Sequence, residues 1–189
     1  VFHDKYPVID ISVIFGNSRQ ILDDVMEYKS DIGIVGRHED HPELLALEYS
    51  DPQPVVIVSK SHPWSRRRRV RLAELTGQKM IRREPGSLTR RALESALQRE
   101  KVEIESVMEI GSKEGVVAAV TQEIGIGVIS EEEHIPDNYV HALEIADFGL
   151  RMKVHIICHG DRKGERLIRP FFDVAANLAG RNLPRGQAI

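Results

Sequence analysis

The chain has 189 residues, 41% hydrophobic and 29% charged, with a formal net charge of −3. That balance belongs to an ordinary globular chain of one domain or two small ones, and it excludes a body built throughout as a basic nucleic-acid glove. Cys158 is the single cysteine, which excludes an internal disulfide and points to a reducing cytoplasm. No apolar run approaches the ~20 residues of a membrane-spanning helix. The chain begins at Val1 without a methionine and reads as a fragment.

Residues 8–15 are β-branched and partly alternating, which predicts a strand. Asn17 or Ser18 then caps a helix with Ile21, Leu22, Val25 and Met26 on one face. Residues 31–36 form a short apolar run of buried-strand type, and 45–50 and 54–59 read as two further strands. An exposed connector follows, with a dense basic run at Arg66, Arg67, Arg68, Arg69 and Arg71 that reads as a charged surface loop, with transient contact to a DNA backbone or another domain as an alternative that nothing else in the sequence supports. Residues 70–75 predict a helical turn and 79–81 a strand. Residues 87–101 predict a helix with Leu88, Ala92, Leu93, Ala96 and Leu97 on its apolar face. A strand over 102–110, a helix over 112–122 and a strand over 126–129 come next. Residues 131–134 form a turn, 140–145 and 152–158 are strands, and 162–179 is a closing helix before a disordered tail. Strands alternating with helices predict an α/β chain with mainly parallel sheets.

Three strand-to-helix junctions carry hydroxyl or amide side chains: Gly16-Asn17-Ser18, Pro85-Gly86-Ser87 and Gly111-Ser112. A helix start leaves its first N–H groups unpaired and carries roughly half a positive charge, so such ends bind small anions. Asn17, Ser18, Ser87 and Ser112 are candidate donors, and Gly86 and Gly111 would let backbone approach a ligand closely. The competing account makes each serine only an N-cap, worth ~1 kcal/mol to its helix. Thr89, Arg90 and Arg91 lie in the first turn after Ser87, where positive charge is locally unfavourable and hints at an anionic partner. The plainer account of Arg90 is solvation or an ion pair with Glu94. Glu84, Glu109 and Glu114 stand beside the junctions, either exposed or placed to receive an ammonium group.

Arg37 and His38 follow the strand ending at Gly36, at the strand end where ligands bind in such sheets, and are candidate pocket donors. His38 and His41 do not have the spacing of a zinc motif, so no metal is expected. No nucleophile elbow, Walker loop or dinucleotide fingerprint occurs, so neither an enzyme nor a cofactor is expected. Cys158 reads as a buried small hydrophobe.

Several segments, in this order, resemble a known family: Tyr6-Pro7, Gly16-Asn17-Ser18, Asp31-Ile32-Gly33-Ile34-Val35, Ser61-His62-Pro63-Trp64, Leu72-Ala73-Glu74-Leu75, REPGS ending at Ser87, EIGSKEGV around Ser112, IGIGVIS ending at Ser130, and Ile168-Arg169-Pro170-Phe171-Phe172. The chain resembles the effector-binding domain of LysR-type transcriptional regulators. Its FGNS, REPGSLTRRALE, EIGSKE and GVIS segments are most similar to a subgroup associated with catabolism of phosphonates, 2-aminoethylphosphonate especially.

The resemblance implies two Rossmann-like α/β subdomains of periplasmic-binding-protein type II, with a ligand cleft between them. Subdomain I would be residues 1–59 plus 156–189 and subdomain II residues 60–155. The family has a strand and helix before Tyr6-Pro7, of which residues 1–5 are the tail, and a DNA-binding winged helix-turn-helix that this chain lacks. Further implications are a small anionic effector, a homodimer or homotetramer in which the helix bearing Leu22, Val25 and Met26 meets the partner subunit, DNA bound only through the missing domain, and a cytoplasmic location away from membranes. The alternative on the same fold is a periplasmic solute-binding protein for a small anion, which a signal peptide upstream would distinguish.

Overall fold

A computed structural model describes residues 1–36, 41–133, 139–149 and 151–180. In chain order the elements are α1 (Phe2–Lys5), α2 (Ser18–Met26), β1 (Gly33–Gly36), β2 (Leu44–Ser50), β3 (Pro54–Ser59), β4 (Arg69–Val70), β5 (Lys79–Arg83) and α3 (Leu88–Glu100). There follow β6 (Glu105–Ile110), α4 (Lys113–Thr121), β7 (Ile126–Ser130), β8 (Val140–Ile145), β9 (Val154–His159) and α5 (Ile168–Ala179). Single 3-10 turns occupy Leu72–Leu75, Glu131–Glu133 and Gly160–Arg162. The chain divides into two compact units, Val1–Asp51 with Lys153–Ile189, and Pro52–Met152.

The first unit is built on a three-stranded sheet in the order β1-β9-β2, with β9 antiparallel to both neighbours. The two-residue period of a strand sends alternate side chains of β9 to opposite faces. Ile156 and Cys158 pack with Leu45, Leu47, Ile168 and Phe172 beneath α5. Ile157 turns the other way, to Val35 and to Ile21 and Val25 of α2. Those two helix residues are four apart and so share a face. A Cβ on Gly33 would stand 2.9 Å from Ile21 Cγ2 and 3.0 Å from Ile157 Cγ1, so glycine is what lets α2 lie this close to β1.

The second unit has a six-stranded sheet in the order β4-β8-β3-β7-β5-β6. Every residue of β3 is buried. Val56 and Val58 face a layer containing Leu93, Ala96 and Leu97 of α3. Val55 and Ile57 face Val116, Ala119 and Val120 of α4. The β3 run 55–58 is apolar at every position, as a strand covered on both faces requires.

Four expectations are corrected. Residues 8–15 form no strand: Val8 and Phe15 are 93% exposed and Val13 68%. β-branched composition suits a pleated surface, but a strand also needs a neighbour, and among the described residues this segment has none. The sheets are not mainly parallel. The first is wholly antiparallel, and in the second β3 runs antiparallel to both β7 and β8. Strand direction depends on which strands become neighbours, which local pattern does not encode. The segment Pro54–Ser59 belongs to the second unit rather than the first, because β3 is hydrogen-bonded between β7 and β8. Finally, α5 starts at Ile168 instead of residue 162. Arg162 is held in a turn by its bonds to Glu165 at 2.8 and 2.9 Å, and Pro170 falls in the first helical turn, where no N–H is needed.

Candidate functional site

β5 and β6 are parallel neighbours, with Arg83 paired to Ile110 at their ends. The Glu84–Ser87 and Gly111–Ser112 turns therefore leave the sheet from one edge. The first turn leads into α3 and the second into α4, and these helices cover opposite faces. Successive crossovers that part in this way open a crevice beyond the carboxyl ends of the strands, the place where ligands settle in open α/β sheets. Gly86, Ser87, Thr89, Arg90, Gly111 and Ser112 all lie around this edge of the second unit.

Both serines cap their helices. Ser87 Oγ accepts from the Arg90 N–H at 3.5 Å and Ser112 Oγ from the Gly115 N–H at 3.1 Å. Each hydroxyl still has a proton to donate. Gly86 has φ +93°, a conformation that side chains resist, so the turn itself requires it. A Cβ on Gly111 would meet nothing within 4 Å, so the surrounding protein does not demand glycine there. The Glu114 carboxyl is held below the usual range, first by a hydrogen bond to its own backbone N–H in the opening turn of α4, then by Lys113. That helix start favours negative charge, as its unpaired N–H groups dictate.

Of the two accounts of Arg90, the ion pair is the one the structure displays. Its Nε donates to Glu94 Oε1 at 2.9 Å, and its Nη1 donates to Glu109 Oε2 at 2.7 Å and to the Arg83 carbonyl at 2.8 Å. Arg82 also pairs with Glu94. Arg83, which the sequence analysis passed over, forks onto Glu84 at 2.9 and 3.1 Å, and both side chains are nearly buried. The signal for it was the adjacent opposite charges just before Pro85. Three arginines thus meet three glutamates, while Arg91, also in the opening turn of α3, is exposed and forms no ion pair among the described residues. Thr89 is buried and, with Met80, Leu93 and Ile104, lines a small cavity of about 20 Å³, room for one water molecule.

Asn17 and Ser18 belong to the first unit. Asn17 Oδ1 accepts from the N–H groups of Arg19 and Gln20, both at 3.1 Å, while Gln20 Oε1 accepts from the Asn17 N–H at 3.0 Å. This is a complete capping box, so the Asn17 side-chain oxygen is already used by the helix. Ser18 Oγ accepts from the Gly36 N–H at 3.0 Å, tying the start of α2 to the carboxyl end of β1. The candidates Arg37 and His38 lie outside the described residues. Among the described residues, no group of three His, Cys, Asp or Glu side chains stands where a metal could be held, and no helix is long and apolar enough to cross a membrane. Cys158 is fully buried, and that burial pushes its thiol up to about 11.

Two α/β units, one on an antiparallel and one on a mixed sheet, with helix starts gathered at a strand-end crevice in the second, make a periplasmic-binding-protein type II-like fold. Residues 1–179 match the LysR substrate binding domain, and the chain belongs to that family. It is 30% identical over 190 residues to the HTH-type transcriptional regulator CbbR of Xanthobacter flavus, covering 100% of this chain and 53% of that protein. It is 31% identical over 129 residues to the HTH-type transcriptional activator CmpR of Synechocystis, covering 68% of this chain and 42% of that one. The chain spans about half the length of the curated relatives it matches. Its fold is similar to the regulatory domain of CcmR from Synechocystis in complex with 2-PG, with a TM-score of 0.83, 24% identity, and coverage of 94% of this chain and 87% of that one. The effector-binding domain of QuiR in complex with shikimate gives a TM-score of 0.83 at 18% identity, covering 95% and 87%.

Proposed function

We propose that this chain is the effector-sensing part of a LysR-type transcriptional regulator and that it binds a small anionic metabolite, with a phosphonate among the candidates. The observation that carries the anion is the pair of helix starts, at Ser87 and Ser112, set at one sheet edge where Arg83 and Arg90 are already paired with glutamates. A cradle of N–H groups and hydroxyls without a free lysine suits phosphonate, phosphate or carboxylate oxygens. The similar domains named as complexes with 2-PG and with shikimate support a small-molecule ligand. Ser18 is the equivalent candidate in the first unit, since its hydroxyl keeps a proton after accepting from Gly36.

In the whole protein, an effector that binds two arrangements of the domain unequally shifts the balance between them, and with it the geometry of an oligomer bound to DNA through another domain. Relatives named as transcriptional regulators favour this over the solute-binding alternative and over an enzyme. The test is a thermal-shift panel of inorganic phosphate, sulfate, 2-aminoethylphosphonate, 2-PG and shikimate, followed by calorimetry on the best binder. Saturable binding that weakens in Ser112→Ala and Ser18→Ala, with both variants folded, is the expected result. Wild-type affinity in both variants would remove these residues from the site. A blank panel would overturn the small-anion reading.

A further inference from the structure

Five of the six residues from Arg66 to Arg71 are arginines, in a chain whose net charge is −3. The structure divides them into two sets. Arg67 forks onto Glu74 at 2.7 and 2.9 Å and lies 5.6 Å from the centre of the Trp64 ring, while its carbonyl is 2.6 Å from His141 Nε2. Arg69 donates to Glu144 at 2.9 Å, and the intervening Val70 is buried in the β4–β8 ladder. Arg66, Arg68 and Arg71 are exposed, and among the described residues none of their guanidinium groups forms an ion pair, although the Arg71 N–H donates to Glu74 at 2.9 Å. Two arginines thus fix the strip to the second unit, and three alternate with them and face water.

We propose that this strip is a docking surface for the phosphate backbone of duplex DNA. Arginine's planar fork matches phosphate oxygens, and an anchored backbone spares the ordering cost that a floppy basic loop would incur on binding. Three exposed arginines close together on a chain of net charge −3 make a local basic strip, and phosphate neutralisation depends on charge, not on base sequence. The inference rests on the regulator reading above only for choosing DNA among polyanions. A second contact of this kind would let the sensing domain hold DNA directly, beside any dedicated DNA-binding domain.

The test is a fluorescence-anisotropy titration of a labelled duplex with this chain, between about 20 and 200 mM salt, where three phosphate contacts give a log–log slope of about −2.7. Combined Arg66→Ala, Arg68→Ala and Arg71→Ala should abolish most of the binding and flatten the slope. Lysine at the same three positions should keep the slope, and Arg169→Ala, an exposed arginine of the first unit, should change nothing. Equal binding by wild type and triple variant, no duplex binding at the lowest salt, or equal competition by polyglutamate would each overturn the proposal. The polyglutamate result would assign the strip to an acidic protein instead. The triple variant is also titrated with inorganic phosphate or the best binder of the anion panel. That response and the duplex titration stand or fall separately.

Discussion

Ser112→Asp separates the two uses of one side chain. The aspartate keeps an acceptor for the Gly115 N–H, now bonded at 3.1 Å, and aspartate ranks with serine as an N-cap. Its added charge lies at the positive end of α4, which is worth about 0.3–1 kcal/mol to stability. For an anion held by the same N–H groups the sign reverses. Two like charges about 4 Å apart, at an effective dielectric constant near 20, repel by about 4 kcal/mol, close to a thousandfold in affinity. Ser112→Gly gives the complementary result. Glycine costs the cap only a few tenths of a kcal/mol, whereas losing a hydrogen bond to a charged ligand costs about 1.5–3 kcal/mol, roughly tenfold to a hundredfold. Thermal unfolding and calorimetry with the best binder of the anion panel measure both quantities on the same samples. If Ser112→Asp bound that anion as tightly as the wild type, the start of α4 would not be part of the binding site.

Arg90→Leu should lower stability by about 1–3 kcal/mol in a denaturant titration, since it strips Glu109 and the Arg83 carbonyl of their donor, while anion affinity changes less. A larger effect on affinity than on stability would return Arg90 to the ligand. Gly127→Ala places a Cβ 2.6 Å from Val116 Cγ1 and 3.2 Å from Ile57 Cγ1, and the overpacking should cost about 1–3 kcal/mol. Adding Val116→Ala should recover part of that loss, and failure to do so would deny the contact. Glu74 is held below its usual 4.5, first by the Arg67 guanidinium and then by the Arg71 N–H. A depressed carboxylate stabilises the fold above its unfolded value and loses that contribution as pH falls through the folded one. Glu74→Gln should therefore melt lower than wild type at neutral pH, with the gap closing in acid. A gap constant with pH would refute the pairing.

The individual elements were legible because their causes are local. Asn17 or Ser18 stands where a helix start needs a cap, Leu93, Ala96 and Leu97 share a helical face, and residues 55–58 are apolar at every position as a doubly covered strand must be. Sheet direction was not legible, because β9 pairs with β1 and β2 from far along the chain, after the whole of Pro52–Met152. Residues 8–15 show the same limit: their composition suits a strand, yet a ladder needs a neighbour that no local pattern supplies. At the candidate site, the serine caps could be read directly from hydroxyl residues placed before apolar helices. The pairing of Arg90 with Glu94 was among the readings the sequence allowed, but its bonds to Glu109 and the Arg83 carbonyl were not, since these reach it from strands separate in sequence.

The central strand of the first unit arrives very late in the chain. β1 and β2 are complete by Ser50, but Val154–His159 must be inserted between them before either can be paired. During synthesis, the amino-terminal segment therefore waits with its apolar residues unsheltered while the whole of Pro52–Met152 emerges. The later-made unit is free to mature first. A chain cut short just before residue 154 would hold every strand of the six-stranded sheet and still lack the middle strand of the other.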